Sequence, residues 1–264
     1  MLPMEASSPA KIILFGEHAV VYDQPAIAAP VSSLRVTARV EPTARNDLRV
    51  IASDLNEILP IDLLAIDVNN ALQLTIKLVL ERVGKPPPSA DIIVQSTIPL
   101  ASGLGSGAAV SSAIARALLR AVDETLSNAE INQIVYEVEK IHHGTPSGID
   151  NTVIVYERPI YYVRNQPIEF LTLNTPIHLV IGDTGVSAPT RVAVGDVRRL
   201  VEQSPNTTRK AIETIGEIVK RAKSALNDGD LQVLGDLMDQ NQHWLNELTV
   251  SSEELDTLVN AAKS

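Results

Sequence analysis

A glycine-rich turn directly before a helix-forming run is the feature that most restricts how this chain can fold. The segment PLASGLGSGAAVSSAIARALL begins at Pro99 and places three glycines among alanines and serines. The stretch ADIIVQSTIP before it is predicted to be a strand. The sequence therefore predicts a strand, a loop of small residues and a helix over about residues 108–122, in that order.

This loop has the chemistry of an anion site. A helix begins with backbone N–H groups that have no partner inside the helix, and its dipole favours negative charge there. Small residues leave that end open, and the hydroxyls of Ser102 and Ser106 add donors. The common GxxxxGK phosphate loop and the GxGxxG motif are both absent from the sequence. The alternative interpretation is a flexible or tightly packed turn between a strand and a helix.

Composition limits the class of protein. The 264 residues carry a formal net charge of -10 and include no cysteine. The charge argues against broad nucleic-acid binding, and the lack of cysteine excludes disulfides and cysteine-ligated zinc. No apolar run reaches the roughly 18 residues that a membrane span needs, and the N-terminus does not resemble a signal peptide. We therefore expect a cytoplasmic protein that binds neither nucleic acid nor membrane.

The pattern along the chain predicts two lobes. Residues 1–172 mix strands and helices, whereas residues 173–264 are nearly all helical after one buried strand, IHLVIGD. The stretches LRVTARVEP and LRVIA are predicted to form a hairpin, and TVIVY and PIYYV to pair as strands. Apolar residues at helical spacing predict a helix within residues 60–83. Ser127 and Glu130 form a capping box that predicts the start of another helix.

Two further segments contain residues that can carry chemistry. SPAKIILFGEHAVVYDQPAIA places Lys11 before an apolar strand, with Glu17 and His18 at the end of that strand. EKIHHGTPSGIDNTVIVY places Glu139 near the end of a helix and Asp150 in a turn. Taken singly, such residues are more often a solvated lysine, a turn aspartate or a solvated carboxylate. The adjacent histidines do not have zinc spacing, and no HExxH motif is present.

Together, these segments resemble the GHMP kinases, and most closely their mevalonate kinase branch. AKIILFGEHAVVY is similar to the first family motif, PLASGLGSGAAVSSA to the ATP-phosphate loop and IHHGTPSGIDNTV to the catalytic segment. DTGVSAPTRVAVGDVR and MDQNQHWLNELTVSSEELDTLV also resemble that branch, so the resemblance runs from Pro9 to about Val259. It implies an α+β fold of two lobes, with a helix-rich C-terminal lobe and with ATP and substrate in the cleft between the lobes.

The resemblance also implies a reaction, ATP-dependent phosphorylation of the 5-hydroxyl of mevalonate with Mg²⁺. It implies that Asp150 is the catalytic aspartate and that Lys11 beside it stabilises charge on the reacting oxygens. Glu139 matches a Mg²⁺-holding position, and Ser106 is a second metal candidate. The residues implied to lie beside mevalonate are Glu17, His18, Gly148 and Thr190. Those implied to surround the ATP phosphates are Pro99, Ala101, Ser102, Gly103, Leu104, Gly105, Ser106, Gly107 and Ala108.

Three departures from the family pattern affect these expectations. Gly107 stands where a second serine is common, so Ser106 or water is expected to reach Mg²⁺ instead. Asp23 stands where glycine is usual, and aspartate tolerates a left-handed turn better than most residues. The third family motif, a glycine-rich loop near the C-terminus, is absent from these residues. We therefore expect the C-terminal lobe to lack its last part, through a missing end or through loss.

Two other functions stay open at this point. One is a related GHMP kinase such as phosphomevalonate kinase, although its phosphorylated substrate calls for basic residues that are few near the motifs. The other is a non-catalytic ligand sensor on the same fold. The presence of Lys11, Glu139 and Asp150 argues against a sensor, and the absent third motif argues for one. Members of the family often dimerise, so a homodimer is one expected assembly.

Overall fold

The chain forms two compact units in a computed structural model that describes residues 4–62, 65, 67–99, 102–143, 146–173, 176–186 and 190–264. The side chains of residues 142, 143, 190 and 191 lie outside this description. The lobe boundary predicted between residues 172 and 173 stays a prediction. Unit 1 comprises Met1–Lys11, Pro30–Leu100 and Leu104–Glu157, and unit 2 comprises Ile12–Ala29, Ala101–Gly103 and Arg158–Ser264.

A mixed sheet is the scaffold of unit 1. Its strands are β1 (Met4–Phe15), β2 (Ala26–Pro42), β3 (Leu48–Ala52), β4 (Glu57–Ile61) and β5 (Ala90–Ser96), of which β1 and β2 continue into unit 2. Their order is β4–β3–β5–β2, and β1 also pairs with β2. Strand β5 runs antiparallel to β2 and parallel to β3, which in turn runs antiparallel to β4. Strand β5 therefore leads from the middle of this sheet into the glycine-rich loop.

Helices complete the core of unit 1. They are α1 (Ala71–Val83), α2 (Ser106–Ala121), α3 (Asn128–His143) and α4 (Ile149–Tyr156). Helix α2 is buried through small residues, and its alanines at 109, 113 and 117 have no exposed surface. Small side chains allow neighbouring elements to approach closely, and Ser8 of β1 donates a hydrogen bond of 2.8 Å to the buried Ser112 hydroxyl of α2. Helix α2 is thereby joined to β1 of the sheet.

Unit 2 is mainly helical. The start of β2 pairs with β6 (Ile160–Tyr162), which pairs with β7 (Glu169–Phe170). Its core contains Phe15, Ile215 and Leu237, none of which has exposed surface. None of the helices in the described part is both long enough and apolar enough to cross a membrane. The helices of this unit are α5 (Thr190–Gln203), α6 (Pro205–Asp228), α7 (Leu231–Glu247) and α8 (Glu253–Lys263).

Several local predictions are confirmed. The α+β class is correct, and the strand, loop and helix occur in the predicted order as β5, the described residues 97–99 and 102–105, and α2. The capping box is formed, since Ser127 N–H donates to Glu130 Oε2 over 2.9 Å and Glu130 N–H donates to Ser127 Oγ over 3.3 Å. Asp23 adopts the left-handed conformation, with φ 61° and ψ 16°, that its replacement of glycine requires.

Two predictions about the first unit are wrong. LRVIA does form β3, but β5 lies between it and β2, so the predicted hairpin is replaced by a sheet in which β5 is central. Alternation shows that a strand has a buried face but not which strand is its neighbour. The helix predicted within residues 60–83 begins only at Ala71, because the Asn70 side chain accepts hydrogen bonds from two N–H groups of the first turn. The first two residues of the predicted range, 60 and 61, belong to β4 instead.

Two strand predictions later in the chain also fail. TVIVY lies in α4, where Thr152, Val153, Ile154 and Val155 are all buried, so packing overrides the strand preference of β-branched residues. IHLVIGD has no strand assignment in the described part, and Val180 within it is fully exposed. An apolar run forms a buried strand only when another strand or a helix covers it, and no strand pairs with this run among the described residues.

Candidate active site

Lys11 and Asp150 form an ion pair within unit 1. Lys11 lies on β1 and Asp150 in the first turn of α4, and 3.1 Å separates the lysine Nζ from the aspartate Oδ1. The Lys11 side chain is 8% exposed and that of Asp150 is 26% exposed. The lysine is therefore shielded, while the carboxylate keeps an accessible side. An accessible carboxylate fixed by a cation can orient a hydroxyl group or accept its proton.

The glycine-rich loop contacts the lysine of this pair directly. The backbone N–H of Lys11 donates to the carbonyl oxygen of Leu104 over 3.0 Å. Gly105 has φ +76°, and a Cβ added there would stand 2.9 Å from Lys11 Cγ and 2.9 Å from Ile154 Cδ1. Both the backbone conformation and the close approach require glycine at this position. The end of the loop and the lysine stem are thus packed against each other.

The loop also presents the open beginning of a helix. Gly105 is the N-cap of α2, with no side-chain cap, and Ser106, Gly107 and Ala108 are the first helical residues. The N–H groups of a first turn have no acceptor within the helix, and the residues of this turn carry no long side chain of their own. A Cβ added at Gly103 would meet nothing within 4 Å. Of the other predicted phosphate-binding residues, Pro99 and Ser102 are described and Ala101 lies outside the described residues.

Glu139 supplies a buried carboxylate on α3. The residue is 4% exposed, and carboxylate and hydroxyl oxygens are the ligands that Mg²⁺ prefers. Within the described ranges, no group of three or more histidine, aspartate or glutamate side chains could hold a metal ion. A Mg²⁺ ion that is also bound by nucleotide phosphates needs few protein oxygens. The chemistry of Glu139 and of the Ser106 hydroxyl fits such an ion.

A buried polar network holds the beginning of α4, and three of its members, Asn132, Asn151 and Thr152, were not predicted from the sequence. Gly148, with φ 90°, is the N-cap of this helix, and its carbonyl oxygen accepts a 2.6 Å hydrogen bond from Thr152 Oγ1. Asn151 is 3% exposed and donates from Nδ2 to Asn132 Oδ1 over 2.7 Å. The network therefore anchors the residue after Asp150. An asparagine within the apolar run IDNTVIVY was the available signal for Asn151.

Glu17 and His18 lie in a strained turn of unit 2. His18 has φ 59° and ψ -44°, and Ala19 N–H donates to the Glu17 carbonyl oxygen over 2.6 Å. This is a γ-turn with positive φ, a conformation that is rare and strained. Gly16 before it has φ +92°, and a Cβ there would stand 2.5 Å from the Pro25 carbonyl oxygen. Burial lowers the pKa of His18 from its ordinary value, which favours the neutral imidazole.

The two remaining residues are Asn241, which contacts a predicted site residue, and Thr190, which is itself a predicted site residue. Asn241 of α7, which was not predicted as a site residue, donates from Nδ2 to Glu17 Oε2 over 2.9 Å. The sequence feature that could have identified Asn241 is its place in a helical stripe that otherwise consists of leucines. Thr190 begins α5, but its side chain lies outside the described part of the structure.

Comparisons with known proteins agree on one family. Residues 69–158 match the GHMP kinases N terminal domain. A mevalonate kinase of Pyrococcus furiosus is 35% identical over 276 residues, which cover 98% of this chain and 82% of that protein. The crystal structure of Methanococcus jannaschii mevalonate kinase has a TM-score of 0.82 at 24% identity, covering 98% of this chain and 83% of that one. The L. major mevalonate kinase in complex with R-mevalonate has a TM-score of 0.77 at 28% identity, covering 97% of this chain and 79% of that one.

Proposed function

We infer the function of this chain from its family, because the chain belongs to the mevalonate kinase family of GHMP kinases. The protein is an ATP-dependent kinase that phosphorylates the 5-hydroxyl of mevalonate and releases ADP. The observation that carries this proposal is the Lys11–Asp150 ion pair packed against the glycine-rich loop. One carboxylate, one ammonium and an open helix N-terminus are groups that, together with Mg²⁺, serve phosphoryl transfer to an alcohol.

The proposed mechanism assigns each group one task. The Asp150 carboxylate orients the 5-hydroxyl and accepts its proton as the oxygen attacks the γ-phosphorus of ATP. The bond from that phosphorus to the β,γ-bridging oxygen breaks, and ADP leaves. The Lys11 ammonium stabilises negative charge on the reacting oxygens. The first N–H groups of α2, at Ser106, Gly107 and Ala108, bind the phosphate oxygens.

Glu139 and Ser106 are the proposed magnesium ligands in this mechanism. Bound Mg²⁺ would neutralise part of the phosphate charge. Ser106 is the hydroxyl residue at the start of α2, where Gly107 replaces the second serine of related loops. Replacing Glu139 with Gln is expected to raise the Mg²⁺ concentration that half-maximal turnover requires. Glu137→Gln, on the same helix but at an exposed position paired with Lys140, is the matched control.

The acceptor is proposed to contact Glu17 and His18, with Gly148 and Thr190 as further contacts. The strained γ-turn supports the first pair, because strained backbone is retained mainly where function needs it. A carboxylate and a neutral imidazole can both hydrogen-bond the hydroxyl groups of a hydroxy acid. We also propose a cytoplasmic location, because the reaction consumes ATP. A homodimer stays a prediction.

Coupled ADP release by the purified 264-residue chain tests the proposed function. The assay contains Mg-ATP and, in separate reactions, mevalonate, phosphomevalonate, homoserine or galactose. We expect turnover with mevalonate at a rate well above that with the other three. Turnover with phosphomevalonate instead would reassign the substrate within the family. ATP binding without turnover of any acceptor would favour the ligand sensor.

A further inference from the structure

Helix α7 has one polar residue in a stripe that is otherwise apolar. The residues of the stripe recur at helical spacing, and each is at most 8% exposed. Four of them are leucines, and the fifth, Asn241, is 4% exposed. A leucine at the same place would continue the stripe and bury no polar group. The stripe consists of Leu234, Leu237, Asn241 and Leu245 of α7 and of Leu248, the C-cap residue of this helix.

The Asn241 amide makes a single described hydrogen bond and leaves its other polar atom unsatisfied. Nδ2 donates to Glu17 Oε2 over 2.9 Å, across a separation of 224 residues in the sequence. Oδ1 is buried and has no hydrogen-bond partner among the residues that the structure describes. A buried acceptor without a donor costs free energy. Stability alone therefore does not account for an asparagine at position 241, and the contact with Glu17 does.

The Glu17 carboxylate, which accepts the hydrogen bond from Asn241, belongs to a turn with a strained backbone. Glu17 immediately precedes His18, whose backbone is in the strained γ-turn. A strained segment persists only when its surroundings fix it. Asn241 fixes one oxygen of the Glu17 carboxylate from the buried stripe of a helix of the same unit. This contact restricts both the rotamer of Glu17 and the path of the turn.

We infer that Asn241 is a positioning residue for the acceptor substrate. Its amide holds the Glu17 carboxylate in the orientation that hydrogen-bonds a hydroxyl group of mevalonate, and Asn241 acts only through Glu17. This inference rests on the proposed function, in which Glu17 contacts the acceptor. It assigns to α7 a part in acceptor affinity and none in ATP affinity.

Asn241→Leu is the first test, because leucine extends the apolar stripe and removes only the amide. We expect the KM for mevalonate to rise about tenfold, the loss typical of one hydrogen bond to a charged group. The KM for ATP should stay within about twofold of wild type, since the amide acts only on the acceptor side. Leu234→Ala is the matched control: it removes a buried side chain from the same helix and should lower the melting temperature without this selective change in KM. Equal KM values for Asn241→Leu and wild type would overturn the inference.

A double-mutant cycle separates positioning from a structural role. If Asn241 acts through Glu17, adding Asn241→Leu to Glu17→Ala should change the KM for mevalonate by less than about twofold. Multiplicative effects of the two substitutions would show that Asn241 acts independently, and the inference would be wrong. Calorimetric titration of each variant with R-mevalonate gives the same comparison without turnover. If wild type binds no mevalonate while ATP binds, the proposed function fails, and this inference fails with it.

Discussion

The backbone N–H of Lys11 donates to the carbonyl oxygen of Leu104 over 3.0 Å, while the ammonium of the same lysine pairs with Asp150. One residue thus joins the end of the glycine-rich loop to the carboxylate at the start of α4. A displacement of the loop is transmitted to the ion pair through the Lys11 stem, which packs on Gly105. The glycine-rich loop and the proposed base, Asp150, are therefore connected through contacts of a single residue, Lys11.

Gly105→Ala should inactivate the enzyme more than it destabilises the fold. Alanine at φ +76° costs about 1 kcal/mol in backbone strain, and its methyl group would overlap Lys11 and Ile154. A displaced Lys11 misaligns the reacting groups, and we expect kcat to fall about 100-fold. Gly84→Ala is the control, because Gly84 has φ +64° and open space around an added Cβ. Steady-state kinetics and urea unfolding of both variants distinguish the two effects; equal losses of activity would contradict the prediction.

Asp150→Asn should remove the proton acceptor while leaving ATP binding intact. We expect kcat to fall by about 10³-fold, within the range typical of a lost general base, and the KM for ATP to change little. The substitution also leaves the ammonium of Lys11, whose side chain is 8% exposed, without its carboxylate. That loss should lower the free energy of unfolding by about 1–3 kcal/mol. Unchanged ADP release at saturating mevalonate would show that Asp150 is not the catalytic carboxylate.

Asn132→Ala tests whether the buried amide network positions α4. The substitution removes the acceptor of the 2.7 Å hydrogen bond from Asn151, which is 3% exposed. An unpaired buried amide costs about 1–3 kcal/mol, and a shift of α4 would move Asp150. We therefore expect lower kcat together with lower stability. Asn128→Ala, at the start of the same helix α3, removes only an exposed contact with Arg116 and should leave kcat near wild type.

His18 should make stability depend on pH in one direction. Burial lowers the pKa of folded His18 below its ordinary value of 6.5, so the unfolded chain binds a proton more readily than the folded one. The contribution of neutral His18 to the free energy of unfolding is fully present above about pH 7. It is lost as the pH falls through 6.5 towards the lowered pKa. His18→Asn, which tolerates positive φ, should flatten the dependence between pH 7 and pH 5. Equal slopes in wild type and His18→Asn would refute the assignment.

Local sequence patterns predicted the parts of the fold that short-range chemistry determines. The capping box at Ser127 and the loop of small residues before α2 depend on neighbours within a few positions, and both formed as predicted. The segment TVIVY failed because its helical state depends on burial against other elements. IHLVIGD failed because an apolar run cannot specify what covers it.

The site was predictable only in part for the same reason. The role of Lys11 and that of Asp150 are each ambiguous when the residue is considered alone. The resemblance of their segments to family motifs predicted that the two residues lie side by side. Asn241 could not be assigned a role, because its partner lies 224 residues away. Its place in a leucine stripe was visible in the sequence, but the identity of the group it would bond was not. Long-range pairing of buried polar groups is what the sequence pattern leaves undetermined.

The division of β1 and β2 between the two units has a consequence for synthesis on the ribosome. Residues 12–29 belong to unit 2, but the rest of that unit is formed mainly by residues 158–264. At roughly 5–20 residues per second, the early segment emerges on the order of ten seconds before the helices that it must contact. During that interval its apolar residues, Phe15 and Ile27 among them, lack the core that later buries them. The nascent chain therefore exposes these apolar residues until the helices of unit 2 have been synthesised.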